Sequence, residues 1–420
     1  MVWISFLLIE GDLVNERALK LHKDLRGKLE VRSRVKVDSM EALSLAYTPG
    51  VADVCRTIEG KKELAYDYTN KWNYVAVVSD GTAVLGLGDI GPEAGLPVME
   101  GKAVLFKEFA NVDAFPLCID VHTAEEIISF VKALAPTFGG INLEDIASPK
   151  CFFIERELQR SLDIPVFHDD QHGAAIVAVA ALRNALKVVG KKIEELKIAT
   201  VGVGAAGGAT IKMLLAAGAR NIVAVDKNGI LNRKDSRTLL NEFHSEIVRE
   251  INPENLSGDL EDAVKGADLF IGTSVAGLLT PEMVRQMAPD PIVFALANPV
   301  PEIMPDLAKG AGAAIVATGR SDFPNQINNV LAFPGIFRGA LDTRSSEINE
   351  AMKLAATKAL SSAVPEEKLS SDYILPKPFE PGIARRVALA VAKASIESGC
   401  SRLSGNIDLD ELIDRGLKRY

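Results

Sequence analysis

Two kinds of residue pattern in this chain could do chemistry. The first is glycine-rich. The apolar run KIATVGV reaches Gly202, and Gly204 and Gly207 follow in a GxGxxG spacing, ahead of a helix-like stretch and a second apolar run, NIVAVD. In that setting the first glycine permits a tight turn. The second lets backbone approach a pyrophosphate, and the third lets helix and strand pack closely. The helix N-terminus offers unpaired N–H groups and positive potential to phosphates. Asp226 ends the second run, nineteen residues after Gly207, where a carboxylate would bond ribose hydroxyls. An isolated GxGxxG is weak. Strand, glycines, helix, strand and acid together point to a dinucleotide. Asp226 favours NAD because it would repel a 2′-phosphate, and the adjacent Lys227 keeps NADP open.

The second pattern is acidic. Glu144 and Asp145 follow the run GGINL, and Asp169 and Asp170 follow PVFH. Each pair stands where a short strand meets a helix start. If the two strand ends are neighbours, Glu144, Asp145 and Asp170 converge as hard oxygen ligands suited to Mg²⁺ or Mn²⁺. The plainer alternative is that acids at helix starts complement the helix dipole, worth a fraction of a kcal/mol. His168 and His172 have the i, i+4 spacing of a zinc pair, but residue 168 precedes the helix, which makes zinc the weaker reading.

These residues need a scaffold. Short apolar runs alternating with helical segments, among them LFIGTS, PIVFALAN and AIVATG, argue for a parallel, doubly wound α/β sheet whose strand ends line a crevice. Upstream, 12–32 reads as a helix. Thr48-Pro49 reads as the opening of a helix to about Ile58, with Tyr47 just before it. Residues 74–79 and 83–87 flank Asp80-Gly81 as a hairpin would. Thr123 and Glu126 form a capping box. Ser148-Pro149 opens a helix to about Leu162, and a long Ala/Val-rich helix spans 173–189. The region after Leu341 reads as helices broken by the Pro-rich stretch 375–381. We expect two domains: a smaller N-terminal α/β domain, 1–160, and a Rossmann-type domain with C-terminal helices, 161–420. The active site would lie in the cleft between them.

Composition bounds the class. The chain has 420 residues, 48% hydrophobic and 25% charged, which excludes disorder as the dominant state. Its net charge of −9 argues against general nucleic-acid binding. No apolar run approaches the ~20 residues of a membrane span. The opening MVWISFLLIEGD lacks the basic start of a signal peptide and reads as a strand or packed arm. Cys55, Cys118, Cys151 and Cys400 are widely spaced without a CxxC, as expected for reduced thiols in a cytoplasmic protein.

Several long strings carry a resemblance. YTPGVADVC (47–55), DGTAVLGLGDIGPEAGLPVMEGKAVLFKEF (80–109), INLEDIASPKCFFIE (141–155), PVFHDDQHGAA (165–175), FALANPVPEI (294–303) and ATGRSDFPNQINNVLAFPGIFRGALD (317–342) occur in the order found in malic enzymes. The chain resembles the short bacterial and archaeal form. The resemblance implies oxidative decarboxylation of L-malate to pyruvate and CO₂, with NAD(P)⁺ and a divalent metal, in a homodimer. By position it implies Tyr47 as general acid, Lys102 as general base and Asp169 as the acid beside that lysine. Glu144, Asp145 and Asp170 match the metal ligands. Asn298 and Asn329 match the substrate-binding asparagines, with Asn298 also beside the cofactor. Where larger eukaryotic members carry an arginine that contacts substrate and cofactor, this chain has Ala83. The same residues would serve a malolactic-type reaction, in which bound NAD is recycled and lactate released. A nucleotide-binding regulator without catalysis is a third reading, opposed by the complete residue set.

Overall fold

A computed structural model describes residues 16–84, 86–239 and 242–418. The expected leading strand or arm lies outside the described residues. Two sets of short, mostly apolar runs build two sheets. The first contains β1 (Tyr74–Ser79), β2 (Asp113–Cys118), β3 (Gly140–Leu143) and β4 (Val166–His168), in the order β2-β1-β3-β4 with every pair parallel. Val75, Ala76, Val77 and Val78 of β1 are all buried, as a parallel strand covered on both faces requires. The hairpin expected across Asp80-Gly81 does not form. Strand β1 already has a neighbour on each side, so no edge is left for an antiparallel return. The described residues from 82 to 88 make a loop, in which Val84 bridges only to Gly88. Gly81 is needed there. Its φ is +72°, and a Cβ would stand 2.3 Å from the Gly91 carbonyl.

The second sheet contains β5 (Lys197–Val201), β6 (Asn221–Asp226), β7 (Gly229–Ile230), β8 (Leu269–Gly272), β9 (Ile292–Ala295) and β10 (Ile315–Thr318). Their order is β10-β9-β8-β5-β6-β7. All neighbours are parallel except β7, which turns back on β6. The chain leaves β5 toward β6 on one side and returns to β8 on the other. The gap between β5 and β8 is therefore the switch point where open α/β sheets bind ligands.

The chain before β1 holds a helix over 16–25, α1 (Met40–Ala46) and α2 (Val51–Gly60). Helix α2 opens at Val51 behind Gly50, two residues later than Thr48-Pro49 suggests. Then come α3 (Pro92–Ala110), α4 (Ala124–Leu134), α5 (Lys150–Ser161), α6 (Asp169–Val189) and α7 (Ala205–Ala216). The capping box at Thr123 and Glu126 forms as expected. Helix α5 has Pro149 in the cap position, which leaves Ser148 one residue too early to cap. Helix α6 starts four residues before Gly173 because Asp169 and Asp170 fill its first turn, where carboxylates complement the dipole. At 21 residues α6 is long and apolar enough to cross a membrane by composition alone, yet most of it is buried inside the protein. The expected division at residue 160 falls before β4, the last strand of the first sheet.

After β10 the chain returns to the first sheet through α8 (Phe333–Asp342), α9 (Glu350–Ser361), α10 (Ile383–Glu397) and α11 (Leu409–Leu417). Arg338 of α8 is fully buried. It donates to Asn73 beside β1 at 2.5 Å and to Asp342 at 2.9 and 2.5 Å. Helices α8 and α10 approach closely because Gly335 and Gly339 lack side chains. A Cβ on Gly339 would stand 2.5 Å from the Ala388 carbonyl.

In an ordinary helix interior Gly→Ala gains about 0.5–1 kcal/mol. At position 339 the sign should reverse. Gly339→Ala is expected to lower stability by ~1–3 kcal/mol through overpacking, read from urea unfolding midpoints. A stabilised variant would refute close α8–α10 packing.

Candidate active site

The register of the first sheet brings the two acidic pairs together. Leu143 lies opposite His168, so Glu144 and Asp145 leave β3 beside the point where Asp169 and Asp170 leave β4. One oxygen from each of Glu144, Asp145 and Asp170 lies within 4.8 Å of the others. Asp170 Oδ2 also accepts the Asp145 backbone N–H at 2.8 Å. Asp145 has φ +53°, a left-handed conformation that Asp tolerates better than most residues and that clusters at functional sites.

Lys102 reaches this edge from α3. Its Nζ lies 2.8 Å from Glu144 Oε1 and 2.5 Å from Asp169 Oδ2, and 4.3 Å from the centre of the Phe333 ring. All three charged groups are buried. Burial by itself would lower the lysine's proton affinity. The Asp169, Glu144 and Asp170 charges outweigh it and raise Lys102 above its ordinary value. A lysine that acts as a base must first lose its proton. In the protein alone the lysine is held as an ammonium, because the carboxylates surround it. Burial also pushes Glu144 well up, opposed by Lys102 and reinforced by Asp170, Asp169 and Asp145. Asp169 is raised by burial and pulled back by Lys102.

Four clustered carboxylates against one lysine is an unstable balance of charge in a dry site. Three oxygen donors converging on one point are the set a hard divalent cation takes. The residues therefore fit Mg²⁺ or Mn²⁺. The zinc alternative does not hold. His172 Nε2 is engaged with Glu155 at 3.0 Å, and the buried His168 ring lies 3.9 Å from Asp170. The two imidazoles do not address a common point.

Asn329 arrives from the segment after β10 and donates to Asp169 Oδ2 at 2.5 Å. It thereby ties the returning chain to the acidic edge. Asn298 follows β9 and is exposed. A Cβ on Gly319 would stand 2.7 Å from its amide nitrogen, and one on Gly86 would stand 2.7 Å from its carbonyl. Asn298 is thus held between the loop after β1 and the loop after β10. Ala83 donates its N–H to the Asp145 carbonyl at 2.9 Å, so the position without arginine adjoins the acidic cluster.

In the second sheet the glycines behave as their spacing requires. Gly202 has φ +89°, and a Cβ there would meet the Thr273 carbonyl at 2.6 Å. A Cβ on Gly207 would meet the Gly202 carbonyl at 1.9 Å, whereas one on Gly204 would meet nothing within 4 Å. Two glycines close the turn and one faces open space at the start of α7, as a pyrophosphate cradle needs. Asp226 ends β6 and accepts the Asn228 N–H at 2.7 Å. His244 lies 3.7 Å from it.

Among the described residues Lys102 bonds Glu144 and Asp169 and not Tyr47. Tyr47 follows α1 and is 68% exposed, on an N-terminal arm in which neither α1 nor α2 has a buried residue. Several residues at the site have no assigned role in the sequence motifs. Asn142, buried in β3, donates to Glu144 Oε2 at 2.8 Å. Its signal was an amide inside an apolar parallel-strand run. Asp80, at the end of β1, pairs with Lys150. Gly173 sits one turn beyond Asp169, and a Cβ there would fall 2.0 Å from Asp169 Oδ1 and 2.9 Å from Asn329 Cβ. A glycine inside an Ala-rich helix costs about 1 kcal/mol and so flags a packing reason.

Comparison with known proteins agrees along the chain. Residues 26–159 match the family model "Malic enzyme, N-terminal domain", and residues 171–396 match "Malic enzyme, NAD binding domain". The chain is 55% identical over 405 residues to the "Bifunctional malic/malolactic enzyme" of Bacillus subtilis (strain 168), covering 96% of this chain and 98% of that one. It is 57% identical over 389 residues to an "NAD-dependent malic enzyme" of Geobacillus stearothermophilus, covering 93% and 80%. The crystal structure of a malic enzyme from Pyrococcus horikoshii superposes with a TM-score of 0.91 at 49% identity, covering 96% and 95%.

Gly173→Ala should push the Asp169 carboxylate off Lys102. Because sub-ångström placement governs rate, turnover is expected to fall about tenfold or more, while far-UV circular dichroism stays unchanged. Unaltered turnover would show that Asp169 tolerates displacement.

Proposed function

The chain belongs to the malic enzyme family, and from that premise we propose that it oxidatively decarboxylates L-malate to pyruvate and CO₂ with NAD⁺ and Mg²⁺ or Mn²⁺. The observation that carries the reading is Lys102 set between Glu144 and Asp169, at the edge where Glu144, Asp145 and Asp170 converge. When bound, the divalent ion would polarise the C2 oxygen and C1 carboxylate of malate, and the nicotinamide would accept the C2 hydride.

The chain's own residues handle protons and position. Asp169, in direct contact with Lys102, is the group placed to take its proton and free the amine. Lys102 then removes the proton of the C2 hydroxyl as hydride leaves, within hydrogen-bond reach as a general base must be. Asn298 and Asn329 offer amide N–H groups to the substrate. After CO₂ departs, C3 of the enolate needs a proton, and Tyr47 is the donor.

Tyr47 reaches that atom if a second copy delivers it. Leu19, Leu25, Val31, Val35, Met40 and Leu45 are all exposed on the same N-terminal arm. An apolar surface of that kind fits burial in an interface, and a homodimer is the simplest assembly. NAD is favoured over NADP, since the Asp226 carboxylate at the end of β6 would repel a 2′-phosphate. The four free cysteines suit a cytoplasmic setting. A malolactic reaction is the second reading, favoured by the bifunctional name of the B. subtilis relative.

With L-malate and Mn²⁺, reduced nicotinamide should appear in step with pyruvate, faster with NAD⁺ than with NADP⁺, and stop on adding EDTA. Lactate without net reduction would establish the malolactic reading, and silence with both cofactors would sink the first.

Tyr47→Phe and Lys102→Ala should each abolish turnover. Mixed and reassociated, they should recover about a quarter of the parent rate, because half the dimers are hybrids with one intact site. No recovery would mean that each chain supplies its own tyrosine.

A further inference from the structure

The turn that carries Asp169 and Asp170 is gripped from behind by one carboxylate with no part in the chemistry above. Glu155, buried on α5, accepts the His168 backbone N–H at 2.9 Å, the Gln171 side-chain amide at 3.2 Å, and His172 Nε2 at 3.0 Å to each oxygen. It therefore bonds to residues on both sides of the 169–170 pair. His172 in turn lies 3.2 Å from Lys353 Nζ through Nδ1 and 3.4 Å through Nε2, and Lys353, buried on α9, bonds Glu350 at 2.8 Å. The roles follow from the donors. An ammonium can only donate, so Nδ1 accepts from Lys353. Nε2 then carries the ring proton and donates to Glu155. The result is a buried ammonium–imidazole–carboxylate row in which every charge has a partner. Burial would raise Glu155, but the hydrogen bond from His172 and the charge of Lys353 hold it below its ordinary value.

We infer that Glu155 is a positioning residue for the divalent-cation site, fixing the β4–α6 turn so that Asp170 meets Glu144 and Asp145. The inference rests on the reading of those three carboxylates as the metal ligands. It assigns Glu155 a purpose that a buried, fourfold-engaged carboxylate otherwise lacks. An apolar side chain would fill the space at no desolvation cost, but it would leave the His168 N–H unsatisfied and the turn without its clamp.

Mn²⁺ binding by the full chain, without substrate or nucleotide, is the test, read from the free-ion electron paramagnetic resonance signal. Glu155→Gln keeps the shape but turns an acceptor into a donor facing Gln171 and His172. Its Mn²⁺ dissociation constant should rise about tenfold or more, as for other groups that orient metal ligands. NAD⁺ affinity should be unchanged, and kcat should recover at saturating Mn²⁺. Should Glu155→Gln fail to fold, Lys353→Met leaves the clamp in place without its distal charge, and should weaken Mn²⁺ in the same direction by a smaller factor. Mn²⁺ affinity equal to the parent's in the folded variant would overturn the inference alone. A parent chain that binds no Mn²⁺ would overturn the metal reading with it.

Discussion

The structure turns on one dry electrostatic contact, the ammonium of Lys102 held between Glu144 and Asp169. Burying these groups costs several kcal/mol per ion unless each is closely paired. That cost dictates much of the surrounding fold. Helix α3 must run close enough to β3 and β4 for one lysine to touch carboxylates from both. Asn142 must stand in the strand to occupy the second oxygen of Glu144. Gly173 must stay bare so that Asp169 can fold down against its own helix. Phe333, from the far end of the chain, closes the site over the ammonium.

The two sheets divide the work by the same rule. In each, parallel strands end together along one edge, and the residue after the strand carries the chemistry. The first sheet ends in acids and gathers charge. The second ends in glycines and small polar residues and makes room for an anion. Helix α6 starts at the acidic edge and packs along α7, the helix that opens at the glycine turn. The segment carrying Asn329 closes the circuit by returning from β10 to Asp169.

Much of this was legible in the residues. GxGxxG with Asp226 placed the nucleotide sheet, since Gly202 and Gly207 answer steric demands that no other residue meets. The acidic pairs were legible as a possibility that only strand order could settle, because convergence is a matter of register between β3 and β4. The error at Asp80-Gly81 has the same origin. A turn dipeptide between β-branched runs looks like a hairpin locally, but β1 is a central strand, and local sequence does not say how many neighbours a strand will have. The charge state of Lys102 was out of reach for a further reason. It is set by carboxylates 42 and 67 residues away in the chain, and the sequence does not give their distances. Glu155 reads as one more acid on an amphipathic helix until its partners are in view.

The order of elements also has a mechanical meaning. The second sheet lies within the chain between α6 and α8, and both of those helices are anchored on the first sheet, α6 through Asp169 and α8 through Arg338. That insertion leaves the two sheets sharing one core: Ile141 and Leu143 of β3 belong to the same buried cluster as Ile198, Ile222 and Ile271 of the second sheet. The segment that leaves the second sheet also carries Asn329, which is bonded to Asp169, so the insertion is fastened to the acidic edge by a side chain as well as by the backbone.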